Sequence, residues 1–191
     1  MLRRACLQAR EWLDAGLAFR VSVNVSARQL ARPDELVSQV RAALADSGLP
    51  PELLALEITE SVLMEDMRQG EAVLGTLRSL GVALEIDDFG VGYSSLSYLH
   101  RLPVDCVKID SSFVAGLSDG SGSDRILEAV VALTQAFALD TTAEGVETPE
   151  QLAWIRATGC DHLQGYLLGR PVPAGELPAA LGRACQLCAS A

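Results

Sequence analysis

Short β-rich runs recur along the chain at 19–25, 53–59, 82–87, 104–110, 139–143 and 162–167, the fifth of them with only weak β character. Helical patterns separate most of them. Pro33-Asp34-Glu35 opens one that closes at Ser47-Gly48, Glu65-Asp66 opens one that closes at Gly81, and Ser123-Asp124 and Thr148-Pro149-Glu150 open two more. A further helix, at 2–15, stands before the first run, with Leu2, Cys6 and Leu13 on its inward side beside Trp12 or Leu17. This alternation predicts an α/β fold with a largely parallel sheet.

Polar residues fall at the ends of the runs. Each run stays apolar until it delivers, in turn, Asn24; Glu57 and Glu60; Asp87 and Asp88; Lys108 and Asp110; Glu144; and Gln164. In a (β/α) barrel all such strand ends meet at one face, the face on which barrel enzymes keep their chemistry. A doubly wound sheet would instead concentrate a ligand at one switch point. A full barrel takes about 250 residues, whereas this chain has 191 and opens inside a helix. The expectation is one domain over 1–191, an incomplete (TIM-like) barrel that lacks its N-terminal strand region.

Composition narrows the choice of ligand. Fifteen basic against twenty-five acidic residues give a net charge of −10, which opposes binding of a long nucleic acid. A small phosphorylated ligand stays compatible with that charge wherever divalent cations sit among the carboxylates. The five cysteines, Cys6, Cys106, Cys160, Cys185 and Cys188, form no regular framework and read as reduced thiols of a cytoplasmic protein. Cys185 and Cys188 have zinc-ligand spacing but no second pair, and read as neighbours on one helix. No apolar run reaches membrane-spanning length, and the longest, 129–139, reads as a buried helix.

Asn24, Glu57, Asp87, Asp88 and Glu144 are oxygen donors, which select hard cations such as Mg²⁺ or Mn²⁺ over zinc. Asp87-Asp88 is the sharpest feature: a turn at the strand end brings both carboxylates to one site only if cations offset their repulsion. The alternative is that Asp88 caps a turn while Asp87 accepts backbone hydrogen bonds. Lys108 and Asp110 flank Ile109 and share a face if the strand continues through them. Lys108 is then a salt-bridge partner, or it orients a water and steadies phosphoryl charge. The glycine-bracketed segment 88–95 reads as a ligand or interface loop. Glu144 stands before Gly145, which permits close approach, while Glu147 and Thr148 suit a helix entry.

With these residues in place, the chain resembles the EAL family of bacterial cyclic di-GMP phosphodiesterases. The matching motifs run in order: Asn24-Val-Ser26-Ala-Arg-Gln29-Leu, Leu56-Glu57-Ile-Thr59-Glu60-Ser61, Ile86-Asp87-Asp88-Phe89-Gly90, Gly92-Tyr93-Ser94-Ser95-Leu96, Leu102-Pro103-Val104-Asp105, Val107-Lys108-Ile109-Asp110, Ala143-Glu144-Gly145-Val146-Glu147-Thr148, and Gln164-Gly165-Tyr166 with Arg170-Pro171. The resemblance implies a modified (β/α)₈ barrel and hydrolysis of cyclic di-GMP to linear pGpG with two Mg²⁺ or Mn²⁺ ions. It implies that Asn24, Glu57 and Asp87 hold one ion and that Asp87 and Asp88 hold the second. It further implies that Lys108 and Glu144 activate water, Glu144 as general base, that Asp110 and Gln164 support metal-bound water and substrate, and that Glu60 anchors the loop after Asp88.

The Glu-Ala-Leu tripeptide of the family, which carries a further metal-binding Glu, does not occur in these residues. Hydrolysis by this chain alone is therefore expected to be impaired. Val91, Ser111 and Glu85 also depart from the family pattern, Glu85 standing where a small residue is usual. A second reading is an inactive module that senses cyclic di-GMP or a protein partner. An exposed sheet edge predicts self-association as a homodimer, and signalling domains are expected upstream in the parent protein.

Overall fold

The computed structural model describes residues 1–91, 98–117 and 122–190. Six strands alternate with helices, in the sheet order β1-β2-β3-β4-β5-β6. This is the α/β fold that the sequence predicts, an incomplete barrel of the (β/α)₈ type. The chain divides into two compact units, Met1–Asp87 with Gly92–Asp105, and Asp88–Val91 with Cys106–Ala191.

In the first unit, α1 (Leu2–Asp14) leads to β1 (Val21–Asn24), α2 (Ala27–Leu30), α3 (Pro33–Ser47), β2 (Leu54–Thr59), α4 (Glu60–Glu65), α5 (Met67–Arg78) and the start of β3 (Ala83–Phe89). Buried Cys6 and Ala9 mark the inward side of α1, which packs on α3. Proline at its first turn opens α3, and Gly48, at φ 64°, closes it in the left-handed conformation that glycine adopts without penalty.

The strands are parallel and in simple register: Val23 pairs with Leu56 and Leu56 with Leu84, while Asn24 pairs with Glu57 and Glu57 with Glu85. Side chains alternate across a strand. Leu54, Leu56, Ile58, Leu84 and Ile86 therefore share one face, each essentially fully buried and each stabilising the fold by about 1.5–3 kcal/mol. The opposite face carries Ser22 and Asn24 on β1, Ala55, Glu57 and Thr59 on β2, and Ala83, Glu85 and Asp87 on β3.

The second unit runs through β4 (Cys106–Ile109), α6 (Ser111–Ala115), α7 (Ser123–Ala136), β5 (Asp140–Ala143), α8 (Pro149–Ala157), β6 (His162–Leu163) and α9 (Leu177–Ser190). Its core gathers Val107, Ile109, Val114, Leu127, Val131, Val146, Leu152 and Ile155. A capping box opens α8: the Thr148 hydroxyl accepts from Gln151 N, and the Gln151 side chain accepts from Thr148 N.

One device recurs at the strand starts. In the first unit, Asp105 accepts from Leu84 N at 2.9 Å. In the second, Asp161 accepts from Thr141 N at 2.9 Å. An aspartate just before one strand thus satisfies the backbone at the start of the strand before it.

Several expected boundaries shift. The helix predicted from Glu65-Asp66 is α5, which Asp66 caps by accepting from Gln69 N and which ends at Arg78, while α4 is an additional short helix that the chain enters at Glu60 directly after the extended Thr59. The strand predicted over 104–110 stops at Ile109, since Asp110 is already the N-cap of α6. The last strand has two residues rather than six, as the chain turns after Gln164. The 129–139 stretch is not buried all round: α7 buries Leu127, Val130, Val131 and Thr134, and Ala129, Ala132 and Ala136 face water. Among the described residues no helix is long and apolar enough to cross a membrane.

Candidate active site

The strand ends of the first unit place Asn24, Glu57 and Asp87 on one sheet face. Asn24 and Glu57 are register partners, and Asp87 pairs with Thr59, one step further along β2. Glu57 is 8% exposed, whereas Asn24 is open to solvent and Asp87 half-buried.

Glu60 begins α4 directly after Thr59 and is only 2% exposed. The buried Tyr98 hydroxyl donates to its carboxylate. Burial first, and then the charge of Glu60, raise the Tyr98 phenol well above its ordinary range. Tyr98 is the first described residue after position 91, and this bond ties it to the start of α4. The expected loop over 88–95 is described as far as Val91; its remaining residues lie outside the described residues. Val91 itself is exposed.

In the second unit, Asp88 takes φ 54°, a left-handed conformation uncommon for a side chain other than glycine. That turn breaks the strict alternation of the strand. An Asp88 carboxylate oxygen lies within 4.8 Å of one from Glu144.

Glu144 is held by the backbone on both sides. Its N–H donates to Ile109 O at 3.2 Å, and Gln164 N donates to Ala143 O at 2.9 Å. The following Gly145, at φ 74°, has room for no side chain: a Cβ there would stand 2.6 Å from Ser111 Cβ. Ser111, one of the departures from the family pattern, is thus the wall against which Gly145 packs. Lys108 Nζ lies 2.6 Å from Glu144 Oε1, with Lys108 only 4% exposed. The cation therefore has a carboxylate partner, as burial of a charge demands.

Asp110 lies beyond the end of β4 rather than continuing the strand with Lys108, and its carboxylate accepts from Ser112 N at 2.9 Å. Gln164 is exposed, with its backbone tied to Ala143 and Val146. Cys185 on α9 is an exposed free thiol, and the Cys188 side chain lies outside the described residues.

These donors fit hard divalent cations. In the first unit an amide and two carboxylates share one sheet face; in the second, two carboxylates approach each other closely enough to share an ion. Sequence reasoning passed over three residues, Tyr98, Arg20 and Ser22, and read Glu85 only as a departure. Ser22 and Glu85 donate and accept one hydrogen bond, at 3.3 Å, and Arg20 Nη1 lies 3.9 Å from Glu85. Period-two spacing was the available signal, because it sets Ser22 with Asn24 and Glu85 with Asp87.

The family model described as EAL domain matches residues 1–171. Cyclic di-GMP phosphodiesterase NbdA of Pseudomonas aeruginosa is 47% identical over 178 residues, covering 93% of this chain and 23% of its own length. The chain spans about a quarter of the length of the curated relatives it matches. A structure described as PaMucR phosphodiesterase in complex with c-di-GMP is 47% identical with a TM-score of 0.89, covering 92% of this chain and 71% of that one. A manganese and c-di-GMP complex of Klebsiella pneumoniae BlrP1 is 30% identical with a TM-score of 0.79, covering 89% of this chain and 44% of that one. The chain belongs to the EAL domain family.

Proposed function

We propose that residues 1–191 act as a single EAL-type domain that hydrolyses cyclic di-GMP to linear pGpG with the help of two divalent cations, Mg²⁺ or Mn²⁺. The observation that carries this reading is the Lys108–Glu144 pair, a buried ammonium locked to a carboxylate at the ends of adjacent parallel strands. Family membership supplies the substrate class: the relatives named above are a cyclic di-GMP phosphodiesterase and proteins solved with that nucleotide.

Asn24, Glu57, Asp87 and Asp88 would hold the cations, since they offer only oxygen donors. Bound there, the ions would supply Lewis acidity toward the phosphoryl oxygens and toward an attacking water. Glu144 would accept a proton from the attacking water as its oxygen bonds to phosphorus and the bond from phosphorus to the departing ribose oxygen breaks, that oxygen taking up a proton from solvent. Lys108 holds the Glu144 carboxylate in one orientation and offsets charge that grows on the phosphoryl group. Asp110 and Gln164 would support the substrate and the water around the ions, and Glu60, through Tyr98, would steady the chain that follows Asp88.

The test is release of pGpG from cyclic di-GMP by the purified chain with Mn²⁺ or Mg²⁺, followed by chromatography. Activity that is weak in this chain, rises when a segment bearing a Glu-Ala-Leu motif is joined upstream, and vanishes with Asp87→Asn or Glu144→Gln would support the reading. A protein so extended that binds the nucleotide and releases no product would transfer it to a sensor.

A further inference from the structure

Glu85 is 8% exposed and stands opposite Glu57 in the β2–β3 register, as Glu57 stands opposite Asn24. The row Asn24, Glu57, Glu85 therefore crosses three strands on one face, and Asp87 follows two residues along on that same face. Two of the proposed cation ligands are thus row-mates of Glu85.

Its side chain reaches past its neighbours. Ser22 Oγ, on β1, donates to Glu85 Oε2 at 3.3 Å, although β2 lies between the two strands. The residues in register with Ser22 are Ala55 on β2 and Ala83 on β3, and their methyl groups leave the path open. Arg20 Nη1 comes to 3.9 Å of Glu85 Oε1 and its side chain is 42% exposed, so water weakens its hold on the carboxylate without removing it. Arg20 is also engaged elsewhere, its Nε donating to Glu52 O.

We infer that Glu85 is a positioning residue for the cation site, its negative charge strengthening the attraction of the Asn24–Glu57 row for a divalent ion while Arg20 acts as a brake on that charge. The inference rests on the cation-binding reading above. Its physical basis is that a carboxylate sheltered from water acts across several ångströms through a medium of low dielectric constant. The hydrogen bond from Ser22 fixes where the charge stands and links the strand carrying Asp87 to the strand carrying Asn24.

The experiment is Mn²⁺ binding by the full chain, read as loss of the free-ion signal in electron paramagnetic resonance, with the melting midpoint measured alongside. Glu85→Gln keeps the shape and the acceptor for Ser22 but removes the charge; Mn²⁺ affinity should fall about ten-fold, the lower end of the losses usual for groups surrounding metal ligands. Arg20→Ala should tighten binding by a few-fold. Unchanged affinity in a folded Glu85→Gln chain overturns the inference, as does an Arg20→Ala chain that binds no more tightly. Should Glu85→Gln fail to fold, the Arg20→Ala result decides alone. Absence of Mn²⁺ binding in the unsubstituted chain would instead overturn the cation-site reading itself, and this inference with it.

Discussion

Lys108 Nζ lies 2.6 Å from Glu144 Oε1, and both side chains are largely withdrawn from water. Each charge is the other's compensation, so removing one alone costs more than removing both. Lys108→Met should destabilise the chain by about 3–5 kcal/mol, and the double change Lys108→Met with Glu144→Gln should recover a good part of that loss. Urea unfolding of the two single variants and the double measures the coupling; strictly additive effects would show that the pair is not a unit. In the active protein, Glu144→Gln should lower turnover by about 10²–10⁴-fold through loss of the proton acceptor.

Alkali should find Tyr98. Its phenol is raised by burial and by the Glu60 carboxylate, so the folded state keeps the proton that an unfolded chain surrenders near the ordinary tyrosine value of 10.0. The stabilisation is therefore fully present below that pH and is lost as pH climbs above it. Tyr98→Phe should flatten the fall in stability above about pH 10. At neutral pH the same change should cost about 1.5–3 kcal/mol, the usual worth of a hydrogen bond to a charged group. Melting curves from pH 7 to 11 compare the two proteins, and parallel profiles would remove Tyr98 as the cause.

Glycine substitutions should separate tight approach from open space. A Cβ on Gly165 would stand 2.1 Å from Val146 O and 2.2 Å from Val146 N, whereas among the described residues nothing beyond its own helix backbone lies within 4 Å of one on Gly182. Gly165→Ala should cost about 1–3 kcal/mol or more, because backbone has to move. Gly182→Ala, inside α9, should stabilise by up to about 1 kcal/mol through helix propensity. Equal melting shifts in the two would contradict the packing around Val146.

β1 and β6 stand at the two ends of the strand order, each with one neighbour among the described residues. End strands recruit further strands from other chains. The purified chain should sediment as a dimer or larger species, and a concentration-independent monomer would count against that expectation.

Much of the fold was legible because period-two apolar runs and helix openers are local signals. Pro33, Thr148 and Gly48 acted where the residue type alone predicts the turn. The start of α4 was missed because Ser61-Val62-Leu63-Met64 suits strand and helix equally, and only the chain's turn after Thr59 decides between them. β6 was overextended because Leu163-Gln164-Gly165-Tyr166-Leu167 alternates like a strand, while the close approach of Gly165 to Val146 ends it. Within the site, Lys108 and Glu144 were read as chemistry from their place at strand ends, and the contact between them needed coordinates. Tyr98 with Glu60, and Glu85 with Ser22, are 38 and 63 residues apart in sequence. No local pattern announces such pairs.

Asp105 and Asp161 fasten strand starts, while the proposed chemistry stands at strand ends. Because the fasteners share no side chain with the reacting groups, substitution at the solvent-open Asn24 or Asp88 can erode the chemistry without loosening the strand starts, whereas the buried Lys108–Glu144 pair carries stability as well. A lineage is then free to let such exposed donors decay while inheriting an intact scaffold, and shape alone is poor testimony that a descendant still turns over a nucleotide. The reverse also holds: catalytic ability can be restored to a decayed copy by a few substitutions at strand ends, with no need to invent the architecture again.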